Sequence, residues 1–191
     1  MSLASPETGI PAAGARYTGT AQALHWLVAA LMFAVLPLAW VMVSMGDTAP
    51  GKDLLYTLHK SVGLTILALA AARLAWRATH PAPALRHVAR WEAAGAFASH
   101  WLLYAILLAM PASGYLLSAA GGHPVSYFGL FTVPGLPKNE AVAKTALAVH
   151  LATQWAVYGL VALHLAATAW HVVVRRDGAL GRMLPAQDEQ A

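Results

Sequence analysis

Residues 145–174 read TALAVHLATQWAVYGLVALHLAATAWHVVV, a run without a single Asp, Glu, Lys or Arg. At about 1.5 Å rise per residue this run is about 45 Å long as a helix, more than the ~30 Å of bilayer hydrocarbon. It predicts a membrane-spanning helix with length to spare for tilt. Two histidines mark it at different depths, His150 near its start and His164 fourteen residues later. At about 100° per residue the two imidazoles differ by only about 40° around the axis, and they lie ~21 Å apart along it. One helix thus presents two imidazoles on one face at two levels.

Three further apolar runs precede it. The predicted spans are 21–45, 55–76, 93–120 and 145–174, with Lys60 and Arg73 intruding near the ends of the second. Of the 191 residues 59% are hydrophobic and 10% charged, and the mean hydropathy is +0.56. A soluble domain carries about 25% charged residues, so this chain cannot cover a water-facing surface. In lipid the backbone must close its own hydrogen bonds, which favours helices. The expected fold is all-α, an integral membrane four-helix bundle over residues 21–176. Pro37 and Pro111 sit inside the first and third spans, where a kink is expected. Residues 1–20 are expected to form a disordered cytoplasmic tail and 177–191 a second cytoplasmic tail. The turn-rich but apolar segment 121–137 is expected at the outer interface or folded over the bundle.

Loop charges set the orientation. One side would hold Arg16, Arg73, Arg77, Arg86, Arg90, Arg175, Arg176 and Arg182, and the other Lys52, Lys60, Lys138 and Lys144. The positive-inside rule then places both termini in the cytoplasm of a multi-pass protein. The formal charge of +4 is small and sits in the loops, which argues against nucleic-acid binding. Without cysteine, disulfides, thiolate-held iron–sulfur clusters and covalently attached c-type haem are excluded.

A redox cofactor would have to be held by histidine. His25 lies near the start of the first span and His59 near the start of the second, so the first matches the depth of His164 and the second that of His150. The expected pairs are His25 with His164 and His59 with His150. Haem iron takes axial ligands above and below the ring, and neutral imidazole is a strong one. Two haems, each between two histidines, would lack an open site for dioxygen and would carry electrons across the bilayer. A lone intramembrane histidine also serves as a polar contact between helices, and zinc is a competing metal. Four ligands split over two levels cannot close one zinc tetrahedron. His171 shares the face of His164 and is the alternative inner ligand, although it would stretch the separation to ~31 Å. His100 would bond a haem propionate or a quinone oxygen, or else pack against a neighbour. His80, His87 and His123 fall in loops. Gly63, one turn from His59, would admit a flat macrocycle or a close helix neighbour. Trp26, Trp101 and Trp170 read as interface anchors.

These residues carry a resemblance. Ala23-Leu24-His25-Trp26-Leu27, Leu58-His59-Lys60-Ser61-Val62-Gly63, Arg73-Leu74, Val149-His150 and Leu163-His164 are similar to motifs of the bacterial four-helix, two-haem cytochrome b561 family. That family is related to the cytochrome b subunits of nickel hydrogenases. Val125-Ser126-Tyr127-Phe128-Gly129-Leu130-Phe131 resembles the family's outer loop, and His100 a histidine common on its third helix. The likeness covers about residues 16 to 185. It implies two haems b on His25, His59, His150 and His164, a place in the bacterial inner membrane, and electron exchange with ubiquinone. At least one relative is a superoxide:ubiquinone oxidoreductase, so an oxidoreductase of that type is expected.

Lys52, Lys60, Lys138 and Lys144 would draw a small anion such as superoxide to the outer mouth, with Lys60 and Lys144 as candidate contacts; they serve equally at lipid headgroups or beside haem propionates. The alternative function is an electron-transfer subunit that docks a dehydrogenase or a periplasmic redox protein. A transporter would call for intramembrane carboxylates or broken helices, and no Asp or Glu lies within any span.

Overall fold

The computed structural model describes residues 16–84 and 88–185. Most of the expected N-terminal tail, residues 186–191, and Arg86 and His87 lie outside the described residues. Four helices make the bundle: α1 Gly19–Ser44, α2 Lys52–Thr79, α3 Arg90–Ala120 and α4 Glu140–Trp170. Each is long and apolar enough to cross a membrane. α4 runs on through a π-turn, His171–Arg175, and a 3₁₀ turn follows at Leu180–Met183.

The helices overrun the apolar stretches because polar residues at their ends continue them. Thr18 Oγ1 accepts from the Ala21 N–H at 3.3 Å and Asn139 Oδ1 from the Val142 N–H at 3.1 Å, the usual N-cap bonds. The Ala89 N–H donates to Glu92 Oε2 at 2.9 Å. Asp53, Glu92 and Glu140 occupy first turns, where negative charge complements the helix dipole. Pro37 and Pro111 lie within α1 and α3 without ending them.

Consecutive helices run antiparallel and pack α1 on α2, α2 on α3 and α3 on α4. Val28 and Val35 of α1, Ile66 and Ala70 of α2, and Leu107 of α3 form the apolar core. α4 buries only Ala146 and Val157 and stands off from the backbones of α1 and α2. Tyr158 bridges to α1: its hydroxyl accepts from Trp40 Nε1 at 2.6 Å and from Gln154 Nε2 at 3.0 Å. Large apolar side chains such as Phe33, Trp155, Leu163 and Val173 face outward, as lipid requires.

Both chain ends lie at one end of the bundle, the terminal end. There the segment after α4 crosses beneath α1. Tyr17 N–H donates to Arg182 O at 3.1 Å and Trp26 Nε1 to Met183 O at 2.7 Å. The buried Gln22 amide reaches Tyr17 O, Arg182 O and Leu184 O at 3.0, 3.3 and 3.0 Å. Arg182 in turn reaches Pro83 O at 2.6 Å and Ala84 O at 3.1 Å in the α2–α3 connection. Residues 16–20 and 177–185, read from sequence as parts of the two tails, join in this cap. The sequence shows no periodicity there because the bonds use backbone carbonyls.

At the other end the apolar α3–α4 connection forms a two-stranded antiparallel hairpin, β1 Val125–Tyr127 and β2 Phe131–Val133. Its turn has positive φ at Phe128 and Gly129, 50° and 75°, the geometry that suits the twist of a tight hairpin. A phenylalanine in that region is strained, and Ser61 of α2 holds it. The fully buried Ser61 Oγ accepts from the Phe128 N–H at 2.8 Å and lies 2.7 Å from Thr57 O and 3.2 Å from Ser126 O. Tyr127 OH meets Thr65 Oγ1 at 3.0 Å one turn deeper. The hairpin therefore lies along α2 rather than only across its end.

Ser61→Ala leaves the Phe128 N–H without its acceptor, a loss of about 1–3 kcal/mol for a buried donor. The expected result is a lower thermal midpoint in detergent and faster proteolysis between residues 125 and 133; wild-type behaviour in both assays would contradict this role.

Candidate functional site: two histidine pairs

His25 sits six residues into α1 from the terminal end, and His59 seven residues into α2 from the hairpin end. α4 carries His150 toward the hairpin end and His164 toward the terminal end. The structure brings together the two pairs that the sequence suggests. The ring centres of His25 and His164 are 6.3 Å apart, and those of His59 and His150 are also 6.3 Å apart, with interplanar angles of 70° and 81°.

That spacing has a chemical meaning. An imidazole nitrogen binds a first-row metal at about 2.0–2.1 Å and lies about 1.1 Å from its own ring centre, so two imidazoles on opposite sides of one iron place their centres about 6.3 Å apart. Hydrogen-bonded imidazoles would sit closer, and neither pair is hydrogen-bonded to itself. α4 stands off from α1 and α2 where these rings face each other, so a flat macrocycle would lie between helices rather than displace core side chains. His59 Nδ1 is buried and has no hydrogen-bond partner, a state that protein interiors seldom leave unmet.

α3 supports the hairpin-end pair. His150 Nδ1 lies 3.0 Å from Met110 O and 3.2 Å from Ser113 Oγ, while Ser113 itself donates to Met110 O at 2.7 Å. A carbonyl only accepts, so His150 carries its proton on Nδ1 and keeps the Nε2 lone pair free. This is the arrangement by which a metal-binding histidine is oriented and its tautomer set. Gly114 lies against the same ring: a Cβ there would be 3.0 Å from His150 Cε1. Gly63 is looser, since a Cβ would meet only Pro111 Cβ at 4.0 Å. It marks where α2 and α3 approach.

Fourteen residues before Gly114, α3 presents His100, whose ring centre is 5.8 Å from that of His164. His100 is exposed on the bundle surface, and thus faces both the terminal-end pair and the lipid. His171 turns elsewhere, with its Nδ1 at 2.6 Å from Asp177 Oδ2. Partial burial works against ionisation of Asp177, but the bonds from His171 and the Ala179 N–H hold its carboxyl below the usual range. His80 stacks on Trp76 at 3.9 Å.

The lysines of the hairpin end differ in their freedom. Lys52 bonds Asp47 Oδ1 at 2.8 Å and Met45 O at 3.0 Å, and this bond with its charge holds the Asp47 carboxyl below the usual range. Lys60 is half-buried next to His59, and Lys144 is exposed on the first turns of α4; neither makes an ion pair among the described residues. Sequence reasoning missed Met110, Ser113 and Gly114, which act on His150 from 36 to 40 positions away.

Residues 16–186 match the family described as prokaryotic cytochrome b561. Cytochrome b561 homolog 2 of Escherichia coli K12 is 34% identical over 171 residues, covering 88% of this chain and 91% of that protein. The probable superoxide oxidase CybB of Yersinia pestis is 28% identical over 85% of this chain and 92% of its own length. Cytochrome b561 homolog 1 of Escherichia coli K12 is 28% identical over 89% and 97%.

Gly114→Ala overpacks the His150 ring, at a cost of about 1–3 kcal/mol, and is expected to lower the thermal midpoint in detergent. Gly63→Ala is expected to leave it unchanged, and equal midpoints in the two variants would refute the contrast.

Proposed function

The chain belongs to the prokaryotic cytochrome b561 family, whose members are haem-b-binding membrane electron-transfer proteins, and from that premise we propose that it holds two haems b and passes electrons between superoxide and ubiquinone. His25 and His164 would bind one haem, His59 and His150 the other. The observation that carries this reading is the repeated 6.3 Å separation of paired rings at two levels of one bundle. Haem held by two such imidazoles would supply single-electron transfer.

The charges support an orientation in the bacterial inner membrane with both termini in the cytoplasm. At the terminal end lie Arg16, Arg77, Arg90, Arg175, Arg176 and Arg182, and at the hairpin end Lys52, Lys138 and Lys144, with Lys60 a little deeper. The hairpin end then faces outward. With Lys52 bonded to Asp47, Lys60, Lys138 and Lys144 remain to attract an anion, and Lys60 stands beside His59. The similarity to a probable superoxide oxidase supports superoxide as that anion. Two superoxide ions would give up one electron each and leave as dioxygen, and ubiquinone would take two electrons and two protons to become ubiquinol. His100, exposed and close to His164, would hydrogen-bond a quinone oxygen. Lys144 would act by charge alone.

The purified protein is expected to show two haems b per chain, and His59→Ala or His164→Ala to retain about one, its partner imidazole having lost the opposite ligand. A colourless folded preparation would end the reading. The donor is tested separately by stopped flow. Superoxide should reduce the haem faster at low ionic strength, and Lys60→Ala should slow that step by about tenfold, the low end of electrostatic steering effects. Rates independent of both salt and Lys60 would remove superoxide steering while leaving the haem assignment standing.

A further inference from the structure

Arg73 reads in the sequence as a charge at the end of the second span, yet α2 continues six residues past it to Thr79. It follows His59 by fourteen residues, the same interval that separates His150 from His164. Arg73 therefore leaves α2 from nearly the face of His59, at the level of the His25–His164 pair. Its guanidinium lies 5.3 Å from the ring centre of the buried Tyr104 on α3 and within electrostatic reach of His25, His100 and His164.

Among the described residues no carboxylate answers this charge. The acidic residues of the helices, Asp53, Glu92 and Glu140, all sit in first turns. Among the described residues the ion pairs are Lys52–Asp47, His171–Asp177 and Arg175–Glu92. Within hydrocarbon a cation needs a counter-charge or a route to water, and an aromatic face supplies only part of it. Around Arg73 the other titratable groups are the imidazoles of His25, His100 and His164, the phenols of Tyr104 and Tyr17, and the Arg77 guanidinium. None of these is an anion at neutral pH, so the counter-charge is sought outside the described residues.

We propose that Arg73 binds the propionate carboxylates of the haem held by His25 and His164, an assignment that rests on the two-haem reading above. The planar guanidinium fork matches a carboxylate in two parallel hydrogen bonds. Tyr104 holds the fork from behind, and the positive charge close to the iron favours its reduced state. The competing use of the same side chain is to extend toward a lipid phosphate at the terminal end, which would leave the haem's potential untouched.

The test is potentiometric titration of the full-length protein in detergent, with Arg73→Gln and Arg73→Lys compared in wild type and in His59→Ala, which retains only the haem in question. Arg73→Gln should keep that haem and lower its reduced-to-oxidised ratio at fixed potential about tenfold, equivalent to about 59 mV for a one-electron couple. Arg73→Lys should recover most of the shift, because it keeps the charge. An unchanged titration in Arg73→Gln overturns the proposal. If the glutamine variant does not assemble, resonance Raman of Arg73→Lys decides: the propionate bending mode of this haem should shift, and an unshifted mode overturns the proposal. A wild-type preparation without haem, or two haems retained in His164→Ala, defeats the parent reading as well. Two haems with unchanged potentials defeat the Arg73 assignment alone.

Discussion

In hydrocarbon a polar side chain has no water to bond, so each one inside the bundle needs a partner there. That constraint explains arrangements that look unrelated. Ser61 is wholly buried yet bonds the strained turn of the hairpin. Tyr158 takes hydrogen bonds from Trp40 and Gln154 between α1 and α4. Met110 lends a main-chain carbonyl to His150, inside a helix that carries Pro111 at the next position. A proline donates no N–H to the preceding turn, so the backbone around Pro111 is where α3 departs from its regular ladder.

A second constraint is angular. Fourteen residues bring a helix nearly back to its starting face, and the interval recurs on three helices. α4 uses it for His150 and His164, α3 for His100 and Gly114, and α2 for His59 and Arg73. The three helices thus share one vertical scale, with the two levels differing in kind. Around His150 at the hairpin-end level the supports are a carbonyl, a hydroxyl and a glycine, all uncharged, and Lys60 stands beside His59. Around the terminal-end level they are a third imidazole and a guanidinium. Identical ring spacings are thus set in unlike surroundings.

The four-helix architecture was legible in the sequence because apolar length and the absence of acids are local properties. The depth of each histidine was legible for the same reason. What escaped was everything set by distant residues. The hairpin strands depend on Ser61, more than sixty positions earlier, and a sequence window sees only turn residues there. Arg73 counts among the loop charges in the sequence, near the end of a span read to residue 76, whereas α2 runs on to Thr79 and is capped where the His80 N–H bonds Trp76 O. The terminal cap was invisible because Gln22 and Trp26 bond main-chain oxygens, which every residue possesses. Gly114 reads as one small residue among several until His150 is found against it.

The terminal cap has a consequence for biogenesis. Its acceptors are the carbonyls of residues 182–184, made after all four helices, while its donors Tyr17, Gln22 and Trp26 are made before most of α1. Until those residues are made, the Gln22 amide has only its local acceptor at Tyr17 and the Trp26 indole lacks Met183. Closure of the cap is therefore a late event of maturation, available only once all four helices have been made.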